Sequence, residues 1–211
     1  MKIKKIASIC IRTGRFVLFD RISKNGEITQ WLGDGSAAYP LDGLPILDGE
    51  SLRTIFDIPE KKWEKILFRH SAFPETVNVD DIAQGERQVE EAGPSVVHGG
   101  RILKPLKTRN GITFIQSQYL QPLEDVLDMV QLFERQTQDG NTYIVAKAGL
   151  LTVAVMFPYD AINKEFVEQM EDLTAQCRWE LRKKEQQNIH QTEPDDGHDT
   201  DFDEEAGRKE L

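Results

Sequence analysis

Few residues in this 211-residue chain have the types and spacing that catalysis or metal binding requires. None of the four histidines pairs with another at the spacing of a helical zinc site, and no H-E-x-x-H motif occurs. The G-x-x-x-x-G-K-[ST] phosphate loop and the G-x-G-x-x-G dinucleotide motif are also absent. The sequence therefore predicts a non-enzymatic protein with no catalytic residues, no metal site and no cofactor.

Two weaker patterns have simpler interpretations. The His98–Gly100 sequence resembles the loop that binds an oxyanion in hydrolases, but no G-x-S-x-G nucleophile is present to act with it. A second pattern is a loose cluster of possible cation ligands near the C-terminus: Asp196, His198, Asp199 and Asp201. A flexible site must lose chain entropy when it binds an ion, so solvated charge is the favoured interpretation.

Basic residues form two groups that are able to contact phosphates. The first group lies in one predicted hairpin and comprises Arg101, Lys104, Lys107 and Arg109. The second lies on the predicted final helix and comprises Arg178, Arg182, Lys183 and Lys184. An ordinary solvated face is the simpler interpretation of both, and Glu180 and Glu185 dilute the helical group. The four hairpin residues are our candidate DNA contacts.

The charge is unevenly distributed along the chain. The formal net charge is −10. Residues 191–211 hold nine acidic residues against Arg208 and Lys209, which gives −7 there and leaves −3 for the rest. The body is nearly neutral, so the overall acidity does not exclude nucleic-acid binding by a local basic face. Apolar residues become scarce after Asn188, which predicts a disordered acidic tail over 189–211.

The remaining composition is that of a globular protein, with 39% hydrophobic and 29% charged residues. Cys10 and Cys177 are the only cysteines, too few for a disulfide framework or a thiolate metal site. We expect both to be small buried hydrophobes in a reducing compartment. No run approaches the ~20 apolar residues of a membrane span. The sequence predicts a cytoplasmic protein with no membrane partner.

The pattern of apolar residues and turns predicts a β-rich body. The predicted strands are 4–12, 15–22, 28–32, 63–70, 102–106, 112–115, 130–135, 142–148 and 150–157. Thr13-Gly14 is the predicted turn of a first hairpin, and Asp48 is expected to cap a short helix. A second helix is predicted over 118–127, capped by Ser117. Residues 71–100 are predicted to be a long loop, with a short helix near 80–92.

The last predicted helix begins at Asn163 and carries an apolar stripe at three- and four-residue steps. The stripe contains Phe166, Met170, Leu173 and Leu181, which are our candidates for contact with a partner helix. Such a stripe packs more often on its own domain than on a partner. Self-association through this helix, or binding of another protein by the helix and acidic tail, is the alternative function.

One stretch resembles a known family. The sequence from Gly111 to Leu120, GITFIQSQYL, is similar to a domain half of the DNA polymerase sliding clamps, in which a strand leads through a Tyr-Leu pair into a short helix. The ending Met156-Phe157-Pro158 also resembles the closing strand of a clamp subunit. The resemblance covers residues 111–158. It implies a clamp-like fold, non-specific contact with double-stranded DNA, replication proteins as partners, and homo-oligomers that enclose the duplex.

Departures from that pattern are clear. Clamp chains usually carry two or three such domains, whereas this body holds about one. The first half, with Trp31–Gly35 and Phe56–Trp63, looks like uncharacterised phage and prophage proteins of Gram-positive bacteria.

These patterns together predict an α+β fold of antiparallel sheets with short helices on one face. A helix-then-strand order in both halves suggests an internal duplication. The predicted parts are a first β-rich half (1–70), a loop or linker (71–100), a second β-rich half forming one composite domain with the first (101–160), a C-terminal helix (161–188) and the acidic tail (189–211).

Overall fold

The structure, a computed structural model, describes residues 1–23 and 26–191, with side chains up to residue 187. The chain divides into two compact units, residues 1–161 and a second unit that begins at Ile162. The helices are α1 (Ile3–Thr13), α2 (Gly49–Ile55), α3 (Glu60–Trp63), a 3₁₀ helix (Ser117–Met129) and α4 (Lys164–Gln191). The first unit is a mixed α+β body, and α4 belongs to the second.

Twelve strands form two sheets in the described part of the chain. They are β1 (Arg15–Ile22), β2 (Ile28–Gly33), β3 (Ala37–Pro40), β4 (Leu67–Ala72), β5 (Arg87–Gln88), β6 (Glu90–Glu91), β7 (Val96–His98), β8 (Arg101–Thr108), β9 (Gly111–Gln116), β10 (Val130–Gln136), β11 (Thr142–Ala148) and β12 (Leu151–Met156). The larger sheet has the order β4-β1-β2-β3-β12-β11-β10-β5. In the smaller sheet, β8 pairs with β6, β7 and β9.

The larger sheet is mixed, which corrects the prediction of antiparallel sheets alone. β4 pairs with β1 in parallel, whereas every other pair among the described strands is antiparallel. A parallel pair needs a long crossover, and here the chain between β1 and β4 contains β2, β3, α2 and α3. Residues 112–157 do form the predicted antiparallel hairpins around one helical segment.

The first predicted strand is wrong, because residues 4–12 lie in helix α1. Its buried residues are Ile6, Ala7, Ile9 and Cys10. This spacing follows the helical period, so one face packs into the core while Ile11 is only partly buried. Gly14 has φ 68° and forms the left-handed cap of α1. It ends a helix and is not the turn of a hairpin.

The segment 71–100 has no helix near 80–92, and it carries the short strands β5, β6 and β7 instead. Val77 and Val79 are buried against Trp31 and Tyr143 in a core cluster separate from the main one. Side chains alternate across a strand, and the neighbours Leu32 and Ile144 belong to the main cluster. This segment therefore covers the second face of the larger sheet, while residues of α1, α2 and the 3₁₀ helix pack on the first.

Other element boundaries also differ from the predictions. The strand predicted over 63–70 starts only at Leu67, because α3 occupies residues 60–63. The helix predicted over 118–127 is the 3₁₀ helix, and no side chain caps its start. Asp48 caps α2 as predicted, accepting the Ser51 N–H at 2.8 Å. The predicted duplication is not confirmed. The strand that follows the helices in the first half, β4, pairs in parallel with β1, whereas the corresponding strand of the second half, β10, pairs only with antiparallel neighbours.

The second unit consists of α4 as far as it is described. The helix begins within one residue of the predicted start at Asn163, and the Asn163 Oδ1 caps it by accepting the Phe166 N–H at 2.9 Å. The helix runs to Gln191, three residues past the predicted end at 188. The predicted tail, including the cluster around His198, lies outside the described residues apart from its first three positions, which belong to α4. Among the helices that are described, none combines the length and apolar composition needed to cross a bilayer.

Candidate functional site

A polar cleft of about 690 Å³ lies where four parts of the body meet. The end of α1 and start of β1 supply Arg12 and Arg15, and the β2–β3 turn supplies Asp34 and Ser36. The β7–β8 turn contributes Gly99, Gly100 and Arg101, and the junction of β9 with the 3₁₀ helix contributes Gln116, Ser117, Gln118 and Tyr119. We call this the arginine cleft, after Arg12, Arg15 and Arg101.

Two tight turns place the three arginines. Gly14 ends α1 in a left-handed conformation, so Arg12 and Arg15 lie on either side of a sharp reversal. Gly99 and Gly100 have φ of 55° and 72° and join β7 to β8 as a two-residue turn in which His98 pairs with Arg101. Positive φ at both positions is typical of the hairpin turns that match strand twist. Their lack of side chains leaves the backbone beside Arg101 open.

A chain of hydrogen bonds connects Arg12 at the surface with the interior of the cleft. Arg12 Nη2 donates to Gln118 Oε1 at 2.6 Å, and Gln118 Nε2 donates to Gln116 Oε1 at 2.9 Å. Gln116 Nε2 donates to the Tyr119 hydroxyl at 3.3 Å, and that hydroxyl donates to Asp34 Oδ2 at 3.1 Å. These contacts hold the amide and phenol groups of the cleft in fixed positions.

Asp34 organises the buried end of the arginine cleft. It is only 3% exposed, and its Oδ1 accepts the N–H groups of Ser36 (2.9 Å) and Ala37 (3.1 Å). Burial, and then the nearby Asp34 charge, raise the pKa of Tyr119 to about 12. Tyr119 therefore stays protonated at neutral pH and remains a hydrogen-bond donor to Asp34.

About half of the other lysines and arginines described in the body are held in ion pairs. No ion pair is found for Arg12, Arg15 or Arg101 within the described residues. All three are exposed. The Arg101 guanidinium lies 5.2 Å from the centre of the Tyr159 ring, a cation–π contact that orients it without removing its charge. The cleft thus presents positive charge that no carboxylate of the described residues neutralises by an ion pair.

The Ser117 side chain is a further polar group of the cleft. The Ser117 hydroxyl oxygen is buried and forms no hydrogen bond within the described residues. A buried hydroxyl without a partner costs about 1–3 kcal/mol, and a bound anion is one group that would satisfy it.

No family model, curated protein or solved structure matches this chain. The geometry of its surfaces is therefore the basis for inferring what it does.

Only one of the four predicted DNA contacts lies in the arginine cleft. Arg101 does, but Lys104 is 2.5 Å from Glu91 and Arg109 Nε is 2.9 Å from Glu134. Lys107 is exposed and shares a strand face with Arg101, whereas Lys104 points to the other face. Arg109 lines a separate cavity. The structure does not bring the four together.

Arg12, Arg15, Asp34 and Tyr119 were missed by sequence reasoning. Arg12 and Arg15 flank Gly14, and reading that glycine as a helix cap instead of a hairpin turn would have drawn attention to them. Among the described residues, no group of three or more His, Cys, Asp or Glu side chains is arranged to hold a metal ion.

The predicted partner-helix residues of α4 fall into two groups. Phe166 is buried and Met170 is partly buried. Leu173 and Leu181 are 53% and 57% exposed, and Cys177 between them is exposed as well, so the prediction of a buried Cys177 is wrong. Cys10 is fully buried as predicted, and burial raises the pKa of its thiol well above the ordinary value.

Proposed function

We propose that this protein is a non-enzymatic accessory protein that holds the phosphate backbone of double-stranded DNA in the arginine cleft. The observation that carries the proposal is the presence around one polar cleft of three exposed arginines, for which the described part of the chain provides no ion pair. Guanidinium groups match phosphate oxygens in geometry and stay charged at every physiological pH. Because such contacts read no base edges, the binding is independent of DNA sequence.

The lining of the cleft, like its positive charge, suits a phosphate group. Gly99 and Gly100 leave room for a sugar–phosphate chain to approach the backbone. The Ser117 hydroxyl is able to donate to a phosphate oxygen. Asp34 already accepts hydrogen bonds from three donors, so its negative charge is the only feature of this residue that opposes a bound anion.

The finer part of the proposal is a sliding clamp-like fold that serves DNA replication in a phage or mobile element. It rests on the resemblance over residues 111–158. The hairpins β8–β9, β10–β11 and β11–β12 around one short helical segment support it. A clamp holds DNA topologically, so its contacts need only be weak, non-specific and electrostatic.

The salt dependence of DNA binding tests the role of the arginines. With three phosphate contacts, the slope of log K against log[salt] should be about −2.7, and affinity should fall about 40-fold between 50 and 200 mM salt. Arg12→Gln, Arg15→Gln and Arg101→Gln should each weaken binding to all duplex sequences and bring the slope about one unit closer to zero. Fluorescence anisotropy with a labelled duplex, using the full chain, measures both quantities.

Two sets of variants complete this experiment. Lys61 is an exposed residue of α3 for which no ion pair is found among the described residues, so Lys61→Gln should leave the slope unchanged. The double variant Lys104→Gln, Lys107→Gln tests two of the DNA contacts predicted from the sequence. It should weaken binding less than the triple variant Arg12→Gln, Arg15→Gln, Arg101→Gln. Duplex binding that survives the triple variant with its slope intact would refute the proposal, as would the absence of any binding at 50 mM salt.

A further inference from the structure

Helix α4 carries an apolar stripe that is exposed along much of its length. Leu173 and Leu181 are 53% and 57% exposed, Cys177 is exposed, and Met170 is partly buried. At 100° per residue these four side chains fall within an arc of about 80° on one side of the helix. Single exposed apolar residues need no explanation, but a continuous stripe over three turns favours a partner surface.

The charges of α4 indicate which partner fits. In residues 164–175, four acidic side chains oppose only Lys164, which gives a net charge of −3. In residues 176–187, four basic side chains oppose Glu180 and Glu185, which gives +2. This gradient also agrees with the helix dipole, which favours acids near the N-terminus and bases near the C-terminus. Because the apolar stripe is exposed, the same charge gradient also affects the direction in which a second α4 helix can pair with it.

We propose that two copies of this chain associate through α4 in an antiparallel arrangement. Antiparallel pairing lays the acidic half of each helix along the basic half of the other, whereas parallel pairing places like charges together. It also buries the stripe from Met170 to Leu181 against itself, since the midpoint of the stripe lies near residue 175. The interface is isologous and closes at a dimer. The inference does not depend on DNA binding.

Mass measurements on the full chain test the association. At about 100 µM and low salt, sedimentation equilibrium should give twice the chain mass of 24.1 kDa, and dilution should return the monomer. The double variant Leu173→Glu, Leu181→Glu should stay monomeric because it places four charges in the interface. Gln186→Glu adds a charge on the opposite side of the same helix, and it should dimerise like the unaltered chain.

The thiol of Cys177 provides a second measurement of association in the unaltered protein. Cys177 lies in the stripe and Cys10 is fully buried, so a thiol reagent should label Cys177 alone in the native monomer. Dimerisation should slow this labelling several-fold as protein concentration rises. The Leu173→Glu, Leu181→Glu variant should show no such concentration dependence.

Spin-label distances determine the orientation. Labels attached to Gln187→Cys or Gln176→Cys, each in a Cys177→Ala background, lie on one flank of the stripe. Antiparallel helices centred near residue 175 place the two 187 labels roughly 35 Å apart along the axis and leave the two 176 labels close together. A short separation at 187 would overturn the antiparallel arrangement. A monomer at every concentration, or a dimer unaffected by Leu173→Glu, Leu181→Glu, would overturn the association itself.

Discussion

Replacing Gly33 by alanine should destabilise the body by about 3 kcal/mol or more and abolish binding at the arginine cleft. A Cβ at this position would lie 1.7 Å from the carbonyl oxygen of Ala37 and 2.8 Å from the Cα of Ala38. Both are backbone atoms of the adjacent strand β3, so no side chain can rotate away to relieve the overlap. Chemical denaturation followed by far-UV circular dichroism measures the loss.

The effect of Gly33→Ala extends to function because of where the residue lies. Gly33 ends β2, and the turn that follows supplies Asp34 and Ser36 to the arginine cleft. Moving β3 away from Gly33 disturbs the contact between Asp34 N and Ala37 O and the two N–H bonds that Asp34 accepts. Gly93→Ala is the matched control, since no atom of the described residues lies within 4 Å of its added Cβ. This account is wrong if the free energy of unfolding of Gly33→Ala is within about 1 kcal/mol of that of the unaltered protein.

Glu86→Gln should also destabilise the body, by about 3 kcal/mol at neutral pH, near the lower end of what breaking a buried ion pair costs. The Glu86 carboxylate lies 2.5 Å from Arg135 Nη2 and 2.8 Å from Lys147 Nζ. The side chains of Arg135 and Lys147 are only 3% and 7% exposed, so the substitution leaves two buried cations without their anion. Glu86 itself retains 15% exposure, which moderates the effect.

The pH dependence of stability provides a sharper test of the same contact. Burial alone would raise the pKa of Glu86, but hydrogen bonds from Lys147 and Arg135 outweigh it and hold the pKa below the ordinary value of 4.5. A depressed pKa in the folded state means that the stabilisation is complete above about pH 4.5 and is lost as pH falls through the lower, folded-state pKa. Glu86→Gln should therefore lose less stability on acidification than the unaltered protein.

Two further variants make the result specific to the Glu86 contact. Glu64→Gln removes one exposed carboxylate that forms no ion pair within the described residues, and it should change stability by less than about 0.5 kcal/mol. Adding Lys147→Met to Glu86→Gln should cost less than the sum of the two single changes, because the pair interacts directly. Additive costs, or a pH profile for Glu86→Gln that matches the unaltered protein, would show that the carboxylate does not hold this network together.

Glu86 belongs to the segment 71–100, which its composition predicted to be a long loop with a short helix near 80–92. Composition alone did not indicate that Val77 and Val79 close the second face of the larger sheet, or that Glu86 reaches Arg135 and Lys147. Glu86 is 49 positions from Arg135 and 61 positions from Lys147, and no local pattern encodes contacts over such separations. Most of the apolar strands were predicted correctly, but the segment that covers one face of the larger sheet was not.

Local sequence patterns predicted the secondary structure correctly where one hydrophobic periodicity or one turn motif dominates a segment. The apolar stretches over 102–157 predicted β8 to β12, and the sequence also predicted the cap of α2 at Asp48 and the start of α4 at Asn163. Local reasoning failed at α1, which was predicted to be a strand although its buried residues Ile6, Ile9 and Cys10 follow the helical period. Short apolar runs fit both periods, and packing against the core decides between them.

By itself, the sequence determined the α+β composition, most strands of the second half, the presence of α4 and its charge gradient. Tertiary structure decided the parallel pairing of β1 with β4, the covering of the sheet by residues 71–100, and the arginine cleft. The cleft joins Arg12, Arg15, Asp34, Arg101 and Tyr119, which come from four separated parts of the chain. The reason is physical: hydrogen-bonding periods and turn propensities act over a few residues, whereas the meeting of Arg15 and Arg101 depends on how whole strands and helices pack.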